Sequence, residues 1–265
     1  MKIAIAGKGG VGKTFVSATL SRLLSRDGYN VLAVDADPNL NLAMSLGVKP
    51  DVAEKITPLS ENEQLVRERT GLSPDESLGP VFNMTPRVDD IVDKFGVRAP
   101  DNVKLLIMGT VKGGGTGCMC GANALLRVLI QHILIQRGEV LVMDMVAGLE
   151  HLGRGTARRM DAMLVVLEPR MKSIDTVKRI QKMASEIEVE ELLAVGNKVT
   201  RQAEKDFLRE NMESLGIPIL TYIPYDDNVA DADMRGIPVL DYNANAPAVR
   251  AVKDLELFLL ERFQP

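Results

Sequence analysis

The sequence is poor in cysteine and in histidine, and it has no excess of positive charge. Its 265 residues include two cysteines and two histidines, and the net charge is −4. Cys118 and Cys120 are too close for an internal disulfide, because so short a loop strains the bond. The charge also argues against a nucleic-acid surface, which normally shows as a basic patch. We therefore expect no nucleic-acid partner.

Long apolar runs and interdomain linkers are also missing. No run approaches the roughly 18 residues of a membrane span. Gly7 and Lys8 interrupt the first apolar segment too early for a signal peptide. No linker rich in proline, glycine and serine divides the chain. We therefore expect a single cytoplasmic domain over residues 1–265, with no membrane partner.

Seven short apolar runs predict the strands of this domain. They begin at Lys2, Val31, Val103, Val140, Ala162, Leu192 and Ile219. Their apolarity is continuous rather than alternating, which is typical of strands covered on both faces. Amphipathic stretches predict helices over 13–27, 121–137, 173–188, 201–214 and 246–263. The pattern predicts an α/β fold with a mostly parallel sheet of about seven strands and helices on both faces.

Residues from about 48 to 102 break this pattern. The stretch "LSPDESLGPVFNMTPRVDD" is rich in proline, aspartate and serine. We expect an irregular insertion here, preceded by a short helix that Ser60 and Glu63 would cap.

The first strand leads into the motif "GKGGVGKT" and then into a helix. The motif matches the P-loop pattern G-x-x-x-x-G-K-[ST], in which backbone N–H groups surround phosphate oxygens. Lys13 is predicted to reach the β- and γ-phosphates and Thr14 to bind Mg²⁺. The predicted nucleotide contacts of the loop are Gly9, Gly10, Val11, Gly12, Lys13, Thr14 and Phe15.

Carboxylates end two further strands on the predicted phosphate side. Asp35 and Asp37 end the second run, and Asp144 ends the run that begins at Val140. We predict that Asp37 and Asp144 act at Mg²⁺, with Asp144 holding the ion through water. Asp35 alone is equally well explained as a helix cap.

The sixth run ends in "GNKVT", which resembles the base-reading signature N-K-x-D. Asn197 and Lys198 match, but Thr200 replaces the aspartate that pairs with guanine. The sequence therefore favours ATP over GTP, with Asn197 and Lys198 as candidate base contacts. A turn role for Asn197 stays open.

With these motifs the chain resembles the deviant-Walker-A ATPases, which include nitrogenase iron protein, MinD, ParA and the arsenite-pump ATPase. Lys8, the additional lysine of "KGGVGKT", carries the resemblance. It implies that two protomers sandwich two ATP molecules and that Lys8 reaches the partner's ATP, much as an arginine finger does. It also implies that Asp37 positions or activates the attacking water.

Two segments, "GGGTGCMCGANALLR" and "DMVAGLEHLGRGT", most closely resemble the CooC family of nickel-insertion ATPases. This resemblance covers most of the chain. It implies a cytoplasmic homodimer, dependent on ATP or metal, that hydrolyses ATP with Mg²⁺. It also implies Ni²⁺ at Cys118 and Cys120, with Zn²⁺ possible at the same site. The implied client is apo carbon monoxide dehydrogenase or the related acetyl-CoA synthase complex.

One C-x-C pair supplies only two ligands, whereas closed thiolate sites commonly need four. His132 lies about ten residues into the next helix, roughly 15 Å along its axis, and cannot close the site. His151 follows Asp144 in the chain, and we prefer a hydrogen bond to backbone as its role. The simpler closure is a two-fold dimer in which Cys118 and Cys120 of both chains meet.

Two other functions stay open from the sequence. Four thiolates also suit a [4Fe–4S] cluster, as in an iron–sulfur carrier ATPase of the same superfamily. A MinD-like membrane-binding positioning ATPase would need a basic amphipathic tail. The C-terminal helix instead mixes Asp254, Glu256 and Glu261 with its apolar residues.

Overall fold

The computed structural model of the chain describes residues 1–37, 41–73, 76, 83, 86–109, 121–136, 140–145 and 160–264. Within these residues eight strands form one sheet. They are β1 (Lys2–Gly7), β2 (Val31–Ala36), β3 (Val97–Arg98), β4 (Lys104–Ile107), β5 (Val140–Met145), β6 (Ala162–Leu167), β7 (Leu192–Val199) and β8 (Ile219–Pro224). Their spatial order is β3-β4-β2-β5-β1-β6-β7-β8.

Every strand pairing in this sheet is parallel except the pairing of β3 with β4. All seven predicted strands are present, so the predicted parallel sheet is confirmed. The additional strand, β3, consists of Val97 and Arg98 and contains no apolar run. Its two residues pair with Leu105 and Lys104, a tertiary contact that sequence pattern does not reveal.

Helices connect most of these strands. They are α1 (Lys13–Arg26), α2 (Leu42–Leu46), α3 (Pro50–Ala53), α4 (Glu63–Thr70), α5 (Ile91–Phe95), α6 (Gly121–Gln136), α7 (Met171–Glu186), α8 (Gln202–Leu215), α9 (Asp227–Met234), α10 (Val239–Tyr242) and α11 (Pro247–Phe263), with 3₁₀ turns at Leu59–Glu61 and Pro100–Asn102. The five predicted helices correspond to α1, α6, α7, α8 and α11. Among the described residues, no helix is both long and apolar enough to cross a bilayer.

Strand β1 shows how the sheet separates two cores. Ile3 and Ile5 pack in the cluster that contains α1 and α11, whereas Ala4 and Ala6 pack in the cluster that contains α6 and α7. Successive side chains of a strand point to opposite faces, and all four of these residues are fully buried. Helices therefore cover both faces of the sheet, as predicted.

The described part of the stretch from 48 to 102 is more regular than expected, since it contains α3, α4, α5 and β3. The predicted cap of its first long helix is wrong. Asn62 caps α4, because its Oδ1 accepts a hydrogen bond from the N–H of Leu65 over 3.0 Å. Ser60 lies in the preceding 3₁₀ turn, where its N–H donates to the carbonyl of Met108.

The parallel strands bring the polar motifs to one edge of the sheet. Asp35 of β2 lies opposite Asp144 of β5, and Ile5 of β1 is the neighbour of Asp144 on the other side. The P-loop follows β1 directly. Because parallel strands end at the same edge, both aspartates and the loop meet there, as ligand sites of open α/β sheets do.

Candidate functional site

The P-loop turns tightly between β1 and α1. Gly10 and Gly12 adopt positive φ angles of 81° and 94°, which favour glycine. A Cβ atom on Gly12 would lie 2.2 Å from Asn197 Nδ2, so only glycine fits there. Helix α1 begins at Lys13, immediately after this turn. The loop therefore combines exposed peptide groups with a helix N-terminus, an arrangement that binds phosphate.

Lys13 and Asp37 form a buried ion pair. Lys13 Nζ lies 3.5 Å from Asp37 Oδ2, and both side chains are less than a tenth exposed. The structure thus brings the predicted phosphate lysine and the predicted catalytic aspartate together. Lys8, at the other end of the loop, is exposed to solvent.

Asp35 is fully buried beside this pair. Its Oδ1 accepts a hydrogen bond from the N–H of Asp37 over 3.0 Å, and its Oδ2 accepts one from the N–H of Leu42 over 3.1 Å. Burial raises the pKa of Asp35 to about 7; the N–H of Asp37 opposes this rise and the neighbouring Asp144 adds to it. Asp35 therefore anchors the backbone on both sides of residues 38–40, which lie outside the described residues.

Asp144 is also fully buried, and among the described residues no group donates a hydrogen bond to either of its carboxylate oxygens. Burial raises its pKa to about 6, against the opposing effects of the Thr14 hydroxyl and the charge of Lys13. A buried carboxylate without partners is costly, and a nearby cation removes that cost. The site thus fits Mg²⁺, which Asp144, Asp37 and Thr14 would hold and which would neutralise phosphate charge.

Asn197 and Lys198 contact the P-loop itself. Asn197 Nδ2 donates to the carbonyl of Val11 over 2.7 Å. Lys198 Nζ donates to the carbonyl of Gly10 and to Glu168 Oε1, both over 2.7 Å. These two predicted base contacts therefore hold backbone oxygens of the loop. Sequence reasoning missed Glu168, although it directly follows β6 at the same edge of the sheet.

The remaining predicted residues lie away from the P-loop site or outside the described residues. Phe15 is partly buried and packs against the α1 and α11 core. Cys118, Cys120 and His151 lie outside the described residues. His132 is partly buried on α6 and lines a surface cleft with Arg87 and Asp89. Within the part of the chain that the structure describes, no group of three metal-ligating side chains is present.

Comparison with known proteins identifies the family of this chain. The model of the CobQ/CobB/MinD/ParA nucleotide binding domain matches residues 2–239. The chain belongs to this family. It is 40% identical to the carbon monoxide dehydrogenase accessory protein CooC of Rhodospirillum rubrum, over 100% of this chain and 98% of the relative. It is therefore a CooC-type P-loop ATPase.

Two further comparisons agree with this assignment. An ATP-binding protein of Methanocaldococcus jannaschii is 42% identical over 98% of both chains. The structure of MinD from Pyrococcus horikoshii, complexed with Mg-ADP, is similar with a TM-score of 0.70 and 20% identity, covering 100% of this chain and 98% of that one. The last similarity concerns the fold alone.

Proposed function

We propose that this ATPase is a metallochaperone that supplies Ni²⁺ to apo carbon monoxide dehydrogenase or a related acetyl-CoA synthase complex. The observation that carries the proposal is the full-length similarity to a carbon monoxide dehydrogenase accessory protein, in a chain whose only two cysteines form a C-x-C motif. Ni²⁺ is the cargo, held by the thiolates of Cys118 and Cys120. Zn²⁺ suits the same thiolates and would compete for them.

The proposed working form is a homodimer, since two thiolates do not close a metal site. Two C-x-C pairs that meet on a two-fold axis supply four ligands. The exposure of Lys8 supports the same arrangement, because a solvent-facing lysine is available to a partner's ATP whereas the buried Lys13 is not. Metal binding and ATP binding then both favour dimerisation, so each raises the affinity for the other.

The strand order supports a short connection between nucleotide and metal. Strand β4, which precedes the cysteine segment, is the neighbour of β2, which carries Asp35. The N–H of Met108, just after β4, donates to the carbonyl of Asp35 over 2.9 Å. Gly109 and Gly121 bound the segment on its two sides. A change at Asp37 during ATP hydrolysis thus needs to act across one strand spacing to reach the start of that segment.

In the proposed reaction, Lys13 and the loop peptides bind the phosphates, and Thr14, Asp37 and Asp144 hold Mg²⁺. Asp37 orients the attacking water, and Lys8 stabilises transition-state charge on the partner's ATP. Hydrolysis then loosens the dimer and releases the cargo to the client. The role of each of these side chains can be tested by a single substitution.

The test is metal content and dimer mass, measured anaerobically with and without ATP. The wild-type protein is expected to bind Ni²⁺ as a dimer, and the double variant Cys118→Ala, Cys120→Ala to lose that metal. His132→Ala is the matched control, because it removes a ligand-type side chain on a different part of the chain. Unchanged metal stoichiometry in the double variant would contradict the proposal.

Two other outcomes would favour a different function. A brown protein with iron and broad absorption near 400 nm would favour an iron–sulfur carrier. Co-sedimentation with liposomes in the presence of ATP would favour a membrane-positioning role. Transfer of Ni²⁺ that activates an apo dehydrogenase, and that requires ATP hydrolysis, is the result expected from the proposal.

A further inference from the structure

The strand end that carries Asn197 and Lys198 is joined to the P-loop by two hydrogen bonds. Lys198 Nζ donates to the carbonyl of Gly10, and Asn197 Nδ2 donates to the carbonyl of Val11, each over 2.7 Å. The paired residues are more than 180 positions apart in the chain. Two successive carbonyls of the loop are therefore held from the same side, by donors on β7.

The backbone of Lys198 is held in an unusual conformation to make this contact. Its φ angle is 56°, in the left-handed region that a lysine rarely adopts. Asn197 Oδ1 accepts a hydrogen bond from the N–H of Lys198 over 2.8 Å, which stabilises the turn locally. The register of β7 with β8 shifts at the same point, between Gly196 and Val199. Backbone strain at a strand end beside a ligand loop is typical of functional positions.

Glu168 completes the arrangement. Its side chain is 14% exposed, and its Oε1 accepts from Lys198 Nζ over 2.7 Å. The carboxylate neutralises the ammonium group and fixes its position above Gly10. Lys198 thus acts on the loop through a directed hydrogen bond more than through free positive charge.

Thr200, at the fourth position of the segment that resembles N-K-x-D, also makes hydrogen bonds within the protein. Both the N–H and the hydroxyl of Thr200 donate to Glu204 Oε2, over 2.7 and 2.9 Å. Lys198 thus donates two of its three ammonium hydrogens, and Thr200 both its N–H and its hydroxyl hydrogen, to acceptors of the protein. Their contacts are made with the protein.

We propose that Lys198, held by Glu168, is a positioning residue that sets the P-loop backbone for the triphosphate. A planar peptide points its N–H opposite to its carbonyl. When the carbonyl of Val11 is held towards β7, the N–H of Gly12 faces the opposite side, where the phosphates of a P-loop lie. The peptide that follows Gly10 is held at both ends, because its carbonyl accepts from Lys198 and its N–H, that of Val11, donates to the carbonyl of Lys8 over 3.4 Å. The pair thus prepares the loop for phosphate and is indifferent to the base.

The test compares ATP, GTP and inorganic tripolyphosphate as ligands. Lys198→Met is expected to weaken binding of all three by a common factor of about ten, since a charge-assisted hydrogen bond that orders the loop is lost. Glu168→Gln should weaken all three by a smaller common factor. In steady-state hydrolysis, the KM for ATP should rise while kcat stays within about twofold, the pattern of lost uniform binding.

Two further variants control the experiment. Arg170→Ala removes the other cation that pairs with Glu168, at 3.3 Å, without touching the loop, and should leave all three affinities unchanged. Lys198→Arg keeps a donor for both oxygens and should regain most of the affinity. Binding stoichiometry, measured by calorimetry, separates weakened binding from loss of folded protein.

A loss confined to ATP, with tripolyphosphate unaffected, would assign Lys198 to the base and overturn the proposal. Equal affinities in Lys198→Met and wild type would also overturn it. Neither result depends on the cysteines or on the identity of the metal, so failure here and failure of the metallochaperone function are separate outcomes.

Discussion

Lys13 Nζ lies 3.5 Å from Asp37 Oδ2 in a buried pair at the carboxyl edge of the sheet. The predicted phosphate lysine and the predicted catalytic aspartate are therefore charge-paired with each other. A triphosphate bound by Lys13 would compete with Asp37 for this ammonium group, and a bound Mg²⁺ would offer Asp37 a replacement cation.

Replacing Lys13 by Ala is expected to abolish nucleotide binding, because it removes the only lysine buried in the loop. It also leaves Asp37 without the cation that the structure places beside it. Fluorescent ATP titration and thermal unfolding should be measured together. Lys172→Ala, an exposed lysine on α7, is the matched control. Retained ATP affinity in Lys13→Ala would contradict the phosphate role.

Asp37→Asn should separate binding from hydrolysis. The amide keeps the size of the side chain but does not accept a proton from water, so kcat should fall by at least about a hundredfold. ATP affinity should stay close to that of the wild type. Phosphate release and ATP binding are the two measurements. Normal turnover would remove Asp37 from the catalytic residues.

Asp35→Asn tests whether the buried carboxylate orients Asp37. Asparagine offers one acceptor and one amide group, so only one of the N–H groups of Asp37 and Leu42 keeps its partner. We expect kcat to fall about tenfold with a small change in ATP affinity, since a misplaced catalytic group costs rate. Asp51→Asn on the exposed surface of α3 is the control. An equal kcat in both variants would leave Asp35 with a capping role only.

Gly109→Ala should destabilise the end of β4 where the cysteine segment begins. Its φ is +70°, and an added Cβ would lie 2.4 Å from Ser60 Oγ and 2.6 Å from Pro58 Cβ. The free energy of unfolding should fall by about 2–4 kcal/mol, from left-handed strain plus collision. Gly71→Ala, at φ +80° with no atom within 4 Å of the added Cβ, isolates the strain alone. Denaturant unfolding that gives equal losses would show that the collision relaxes.

Asp226 caps two helices at once, and the loss in free energy of unfolding on substituting it should depend on pH. Its Oδ1 accepts from the N–H of Asn228 in α9, and its Oδ2 accepts from the N–H of Ala248 in α11. Asp226→Ala should lower the free energy of unfolding at pH 7 by about 1–3 kcal/mol. The free energy of unfolding of Asp226→Asn should lie between those of the wild type and of Asp226→Ala, because the amide oxygen of Asn replaces only one of the two acceptors.

The pH dependence follows from the pKa of Asp226. Burial works to raise this pKa, but the hydrogen bonds from Ala248 and Asn228 outweigh burial and leave the pKa below its ordinary value. The stabilisation is therefore present above the unfolded pKa of about 4 and is lost as the pH falls through the lower folded value. The difference between wild type and Asp226→Ala should narrow in acid. A constant difference from pH 7 to pH 3 would contradict the role of the ionised carboxylate.

The sequence predicts most of this fold because its signals are local. Continuous apolar runs mark seven strands, and the glycine spacing of the P-loop forces a tight turn before α1. Strand β3 escapes prediction, since a two-residue strand exists only through its partner on β4. The cap at Asn62 escapes because Ser60 and Glu63 offer an equally plausible pattern, and only the turn at Leu59–Glu61 decides between them.

The candidate site is predictable in its residues but less so in their contacts. Lys13 is identified from the P-loop motif and Asp37 and Asp144 from their positions at the ends of apolar runs, and the structure brings the three together. The bonds of Lys198 to Gly10 and Glu168 span 188 and 30 positions, so no local pattern encodes them. A signature shared with base-reading motifs therefore predicts the location of Lys198 and leaves its partner undetermined.

The strand order β4-β2-β5-β1 has a mechanical consequence for the metal-carrier function proposed above. Neighbouring strands are about 4.8 Å apart, so the end of β4 lies roughly 10 Å from the Asp144 strand. The predicted nucleotide site and the end of β4, where the cysteine segment begins, thus lie on the same edge of one hydrogen-bonded sheet. In the proposed carrier, small displacements along this one edge of the sheet would govern both loading and release of the metal.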